Sequence, residues 1–218
     1  MKNMLYFIRL DDDSLINCEK YIKFLSPDKQ AVISKYKFDI QKKLSLISDL
    51  FVRCIACAEL KLNNEDLIFD KNTHGKPYLD GFLSFQYNVS HTKNAILVGF
   101  SEKPIGVDIE KIKESNMKLA KRFFSENELS HILLGNGRNE LFYEIWTKKE
   151  AYIKWAGKGM ALPLNTFDVT NSELCGLFTT TTIDDYMISA CSEVFTDKLN
   201  IEILCEDQVL ETFNPMIK

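Results

Sequence analysis

The sequence predicts an α+β protein in which one architecture occurs twice, each half a small antiparallel sheet with a long packed helix. Three observations carry that expectation. In both halves, stretches with apolar residues recurring every three to four positions precede short strand-like runs. Both halves end in a similar strand, "NAILVGFS" in the first and "DYMISACSE" in the second. The 218 residues give room for one large domain or two small ones fused together. The expected division runs 1–103 and 104–218, with "GVDIE" (106–110) opening the second half near the seam.

Taken in order, "YIKFLSPDKQAVISKY" and "QKKLSLISDLFVRCIACAELKL" read as helices, and "DLIFD", "LSFQYNVS" and "AILVGFS" as the strands of the first half. The second half repeats the order. A helix is expected around 116–124 and a long one around 139–156, followed by runs at "TFDVT", "CGLFTTTTI" and "YMISACSE". Neither a low-complexity region nor a Pro/Gly/Ser-rich linker interrupts the chain.

Hydrophobic residues make up 45% and charged residues 27%, an ordinary globular balance that allows a sizeable core. A net charge of −4 argues against a nucleic-acid binder, although 26–43 carries five lysines. The opening "MKNMLYFIRLDDD" lacks the longer apolar run and small-residue cleavage site of a secretory signal. No stretch approaches the ~18 apolar residues of a membrane span, so a cytoplasmic protein without a membrane partner is expected. The six cysteines are scattered, and the lone CxxC (Cys54, Cys57) lies in a helical stretch without a second pair or a flanking histidine. They are expected to be reduced and to pack as small hydrophobes.

"IGVDIEKI" (105–112) raises the first chemical question. Strand alternation puts Asp108 and Glu110 on one face and Val107 and Ile109 on the other. An edge strand with its polar face in water is one explanation; a cation-binding pair is the other. "NELFYEIWTKKEAYIKWAGKG" (139–159) supplies a second anomaly. On its helical wheel Phe142, Ile145, Trp146, Ile153 and Ala156 form an apolar arc, with Glu150 at its edge and Lys154 one turn later. Lys149 also intrudes on the apolar side, whereas Glu144 and Lys148 face outward. Glu150 and Lys154 could be a plain i,i+4 ion pair. Alternatively Asp108, Glu110 and Glu150 form an all-oxygen, open set suited to magnesium, with manganese as a second choice, and Lys154 meets a phosphate.

"GVDIE" followed by "WTKKEAYIKWAGKG" resembles the paired signature of the 4′-phosphopantetheinyl transferases. "YNVSHTKNAILVGF" and "HGKPYL" resemble two further family motifs, and "AKRFFSENEL" and "GKGMALPLNTFDV" resemble the larger, monomeric surfactin-type branch. The likeness runs from "FLSPDK" (24–29) to about residue 170. It implies that the 4′-phosphopantetheine arm of coenzyme A is transferred to a serine of an acyl or peptidyl carrier protein, releasing adenosine 3′,5′-bisphosphate. Asp108, Glu110 and Glu150 would then hold the metal, with Glu150 also the general base, directly or through a water, and Lys154 would neutralise the phosphate under attack. The catalytic set implied is Glu150, Lys154 and Asp108.

The resemblance further implies a coenzyme A site of Lys29, Ser45, Lys76, Pro77, Ser90, His91 and Lys154. His91, one of three histidines, would meet the 3′-phosphate region; simple hydrogen bonding to backbone is the other explanation. The turn at Lys76 and Pro77 would approach the adenine, unless it is an ordinary surface turn. Val32 stands where close relatives often place a second basic residue. Candidate carrier contacts are Lys111, Lys113, Met117 and Lys121, and the stretch from Lys158 to Leu164; a solvated face is the alternative. Trp155 is either a contact anchor or packed under the following loop. Two other functions remain open: a metal-dependent hydrolase of nucleotide diphosphates, and a non-catalytic relative that binds coenzyme A or a carrier.

Overall fold

The computed structural model describes residues 3–11, 18–193 and 200–213. The chain runs β1 (Met4–Arg9), α1 (Cys18–Ile22), α2 (Pro27–Ser34), α3 (Asp39–Leu60), β2 (Phe69–Lys71), β3 (Pro77–Leu79), β4 (Gln86–Thr92) and β5 (Ala95–Ser101). It continues through β6 (Gly106–Lys111), α4 (Met117–Phe123), α5 (Glu126–Leu134), α6 (Arg138–Ala156), α7 (Ser172–Cys175), β7 (Phe178–Ile183), β8 (Tyr186–Cys191), β9 (Ile201–Cys205) and α8 (Glu206–Phe213). The strands form a four-stranded sheet in the order β4-β5-β1-β9, a three-stranded sheet β6-β8-β7, and the small hairpin β2-β3.

Side-chain alternation along these strands dictates the layering. On β1, Ile8 joins the core beneath α3, while Leu5 and Phe7 join a second core shared with Val107, Ile109, Ile188 and Ala190. The two sheets therefore pack face to face, with α3 covering one outer side. On the other outer side Met187 joins the third core, with residues of α4, α5 and α6. β5 and β8 are inner strands of their sheets, and both are buried along their whole length. Burial on both faces explains why "AILVGFS" reads as a continuous apolar run rather than an alternating one.

The expected α+β repetition is present, and the structure adds detail. α3 (22 residues) and α6 (19 residues) are the long helices of the two halves. The stretch 21–36 is broken at Ser26, whose hydroxyl accepts from Lys29 N ahead of Pro27, so α2 starts afresh there. "TFDVT" is not a strand: it is turn and short 3-10 structure, held by side chains. Asp168 accepts from Ser125 Oγ and from Thr170, and Val169 N donates to Glu128 Oε1. The first sheet is mixed rather than purely antiparallel, because β9 pairs in parallel with β1. α8 follows it onto the first half, where Val209, Leu210 and Phe213 enter the core under α3 and Lys43 pairs with Glu206 at 2.6 Å.

Two contacts fix α6 against its surroundings. At Gly106, a Cβ would lie 2.0 Å from the Ala151 carbonyl oxygen and 2.3 Å from Trp155 N, so strand and helix meet backbone to backbone. On another face of the helix, Lys149 and Glu128 form an ion pair at 2.8 Å with both side chains fully buried. Lys149 also donates to the carbonyls of Leu164 and Phe167, and Glu128 accepts from Ser125 N and Val169 N. The intrusion of a lysine on the apolar side of α6 is thus a satisfied buried cation. Burial pulls its ammonium below the ordinary lysine value, and Glu128 opposes that pull.

Gly106→Ala is expected to cost about 3 kcal/mol in urea unfolding, because the three atoms nearest the added methyl group are all backbone and cannot swing aside. Unchanged stability would show that strand and helix separate freely. Glu128→Ala should cost about 3–5 kcal/mol by stranding the Lys149 charge. The double variant Glu128→Ala/Lys149→Met should recover part of that loss in the same experiment, and no recovery would mean that capping, not the charge, dominates.

Candidate active site at the seam

The site forms where β4, the edge of the first sheet, runs beside β6, the edge of the second. Alternation places Asn88, Ser90 and Thr92 on one face of β4, and each meets β6. The Asn88 side-chain carbonyl accepts from Val107 N at 2.8 Å, Ser90 Oγ donates to Asp108 Oδ1 at 2.7 Å, and Thr92 Oγ1 donates to Glu110 Oε2 at 3.3 Å. The seam is stitched by side chains. Ser90 came from a motif; Asn88 and Thr92 were missed, although their two-residue spacing from Ser90 was the available signal.

Helix α6 closes the third side. Lys154 Nζ donates to Asp108 Oδ1 at 2.7 Å, Ser90 Oγ at 2.9 Å and the Val107 carbonyl at 3.1 Å. Its ion-pair partner is therefore Asp108 rather than Glu150 one turn away. Asp108 is only 5% exposed, and its other oxygen, Oδ2, is buried with no hydrogen-bond partner among the described residues. Glu110 and Glu150 are half-buried. Burial, then the Asp108 charge, raises both of their pKa values; Lys154 opposes the rise at each. Three carboxylates thus press on one small volume, with the Lys154 ammonium paired to Asp108.

A divalent cation would relieve that arrangement. As they stand, no three His, Cys, Asp or Glu side chains among the described residues converge as a ready-made metal-binding group. The donor set nevertheless fits a small, hard ion: all-oxygen, like-charged, with one buried carboxylate oxygen left without a partner.

The first-half residues divide. His91 lies at the end of β4, where partial burial, then the Lys154 and Lys29 charges, holds its pKa below the usual imidazole value. Lys29 pairs with Asp49 at 3.4 Å, and Asp49 also holds Arg53 at 2.8 Å. Ser45 is buried on α3 one turn before Asp49, and Val32 is exposed one turn after Lys29. The Lys76 amine is committed elsewhere, donating to the carbonyls of Ile105 and Trp155, while Pro77 begins β3. Among the docking candidates, Lys111 pairs with Asp185 at 2.8 Å, Lys113 and Lys121 are exposed, and Met117 packs in the third core. Trp155 is half-buried against Tyr152 at 5.3 Å.

Burial lowers the Lys76 ammonium from 10.5 to about 8. Between those values the folded chain binds fewer protons at Lys76 than the unfolded chain, so this group's contribution to stability rises with pH. Its cost is fully present below about pH 8. The stability of the wild type relative to Lys76→Met should therefore increase from pH 7.5 to pH 10 in urea titrations. A flat difference would show that the amine keeps its proton throughout.

Comparison with known proteins identifies the setting of this geometry. The family model for the 4′-phosphopantetheinyl transferase superfamily matches residues 104–210, and the model for the N-terminal part of 4′-phosphopantetheinyl transferases matches residues 14–102. Among curated relatives, 4′-phosphopantetheinyl transferase Sfp of Bacillus subtilis (strain 168) is 33% identical over 153 residues, covering 69% of this chain and 68% of its own length. The transferase gsp of Aneurinibacillus migulanus is 35% identical over 151 residues, 68% of this chain and 63% of its own. The transferase psf-1 of Bacillus pumilus is 29% identical over 224 residues, 94% of this chain and 95% of its own. The chain belongs to the 4′-phosphopantetheinyl transferase superfamily, in its surfactin-type (Sfp-type) branch.

Proposed function

We propose that the chain activates acyl or peptidyl carrier proteins by magnesium-dependent transfer of 4′-phosphopantetheine from coenzyme A, manganese being able to substitute. The observation that supports this reading best is the Asp108 carboxylate: buried, bonded through one oxygen to Ser90 and Lys154, unpartnered at the other, and crowded by Glu110 and Glu150.

In this proposal Asp108, Glu110 and Glu150 hold the ion. Bound there, it would polarise the pyrophosphate of coenzyme A and stabilise charge on the departing adenosine 3′,5′-bisphosphate. The chain's own groups do the rest. Glu150 is placed to take the proton of the carrier serine, directly or through a water. The serine oxygen then bonds to the phosphorus carrying the pantetheine arm, and the bond from that phosphorus to the bridging oxygen breaks. Lys154, anchored by Ser90 and Asp108, supplies positive charge beside the phosphorus under attack. In this reading His91 and Lys29 meet the 3′-phosphate end, Ser45 and Ser90 belong to the same coenzyme A site, and the turn at Lys76 and Pro77 approaches the adenine. No described helix is long and apolar enough to cross a membrane. A cytoplasmic monomer acting on carriers, with Lys113 and Lys121 toward their acidic surface, completes the proposal.

The decisive experiment is intact-mass analysis of an apo carrier protein incubated with the chain, coenzyme A and magnesium, with and without chelator. A chelator-sensitive gain of one phosphopantetheine on the carrier is expected, with Glu150→Gln losing transfer while keeping its fold and most of its coenzyme A affinity. Release of free phosphopantetheine with unmodified carriers would replace this reading with hydrolysis. Near-normal turnover by Glu150→Gln would remove that residue from the mechanism.

A further inference from the structure

The turn joining β2 to β3 belongs to the first half, yet two of its side chains reach into the second. Asn72 Oδ1 accepts from His74 N and Lys76 N, at 2.9 Å each, and so shapes the turn. Its Nδ2 leaves the turn and donates to the Gly157 carbonyl at 3.0 Å. The Lys76 amine donates to the Trp155 carbonyl at 3.2 Å and the Ile105 carbonyl at 3.0 Å.

These acceptors are not incidental. The last carbonyls of a helix have no partner within it. In α6, Gly157 N returns to the Ile153 carbonyl, while the carbonyls of Trp155 and Gly157 are met from the other half of the molecule. A cation at this end also suits the helix dipole. Gly157 makes the approach feasible: it takes φ 63°, and a Cβ there would lie 3.2 Å from Asn72 Nδ2 and 3.3 Å from Lys76 Cδ. The same amine grips Ile105, the residue before Gly106. One side chain therefore joins the entrance of β6, which carries Asp108, to the exit of α6, where Lys154 precedes Trp155.

We propose that Lys76, assisted by Asn72, is a positioning residue for phosphopantetheine transfer: its side chain clamps β6 to the end of α6, fixing Asp108 against Lys154, and does not bind coenzyme A. The inference rests on the transferase reading above. It separates two tasks within one turn, whose backbone faces the nucleotide while its side chains brace the catalytic helix. With its pKa lowered to about 8, the amine can lose a proton and still hold both carbonyls, because a neutral amine has two hydrogens to donate.

Lys76→Met and Asn72→Asp, each in the full chain, test the clamp by steady-state transfer to an apo carrier and by amide hydrogen exchange. For Lys76→Met a fall in kcat of about tenfold or more is expected, since small misplacements of reacting groups are costly. KM for coenzyme A should stay within about twofold, and exchange should quicken over residues 153–157. A raised KM with unchanged kcat would overturn the proposal in favour of a coenzyme A ligand. Unchanged constants and exchange would overturn it outright. If Lys76→Met fails to fold, Asn72→Asp decides by the same readouts, since it keeps the turn's acceptor and replaces the donor to Gly157 with a carboxylate oxygen that repels that carbonyl. If the wild type modifies no carrier, the transferase reading falls, and exchange alone judges the clamp: unaltered protection in both variants rejects it.

Discussion

The contact of Gly106 with α6 is the constraint from which the rest of the site follows. A backbone that passes within reach of the Ala151 carbonyl and the Trp155 amide leaves no freedom in the height or rotation of the strand against the helix. Two residues on, Asp108 must then face the level of α6 from which Lys154 projects, and Val107 and Ile109 must point into the core between the sheets. On the other side of that core Gly99 makes a matching close approach, since a Cβ there would sit 2.6 Å from a methyl group of Val107. β6 is thus held tightly from both faces, and its carboxylates inherit that rigidity.

Consecutive residues on α6 show how one helix serves packing and chemistry together. Lys149 and Glu150 differ by about 100° around the helix axis. Lys149 enters the third core and finds Glu128 plus two carbonyls, a closed set with nothing left to offer a ligand. Glu150 turns to the seam, where burial, then the Asp108 charge, raises its pKa against the opposing pull of Lys154. A buried ion pair adds little net stability over apolar packing. What the Lys149–Glu128 pair does accomplish is to join α5, α6 and the loop at 164–169, so the rotation of the helix that presents Glu150 is fixed from behind.

Local pattern made much of this legible. The alternation of "GVDIE" put Asp108 and Glu110 on one face, and the wheel of α6 flagged Lys149 and Glu150 as out of place. Hidden were the features whose partners lie far along the chain. Nothing near Lys149 points to Glu128, 21 residues earlier, and nothing in "NTHGK" reveals that two of its side chains cap a helix some 80 residues away. "TFDVT" has the composition of a strand, but Asp168 within it and Glu128 from α5 supply its backbone with side-chain partners, so a ladder is not needed. β9 and α8 escaped because their short periods carry little signal until β1 and α3 are there to receive them.

The repetition of architecture explains where the site lies, and its imperfection explains what holds the site together. Were the halves joined by a continuous backbone ladder, the edge residues of β4 and β6 would be occupied with each other. Instead, side chains do the joining: Asn88 to Val107, Ser90 to Asp108, Thr92 to Glu110, and Lys76 to Ile105 and Trp155. All four of these links end on, or within one residue of, a group assigned to metal or phosphate. The polar groups that a catalyst needs are thus the same groups that satisfy the seam. A seam of apolar side chains would pack as well but could not hold charge, and a fully paired polar seam would have none to lend. Among the described residues, the unpartnered oxygen of Asp108 leaves the stitching open beside the other two carboxylates.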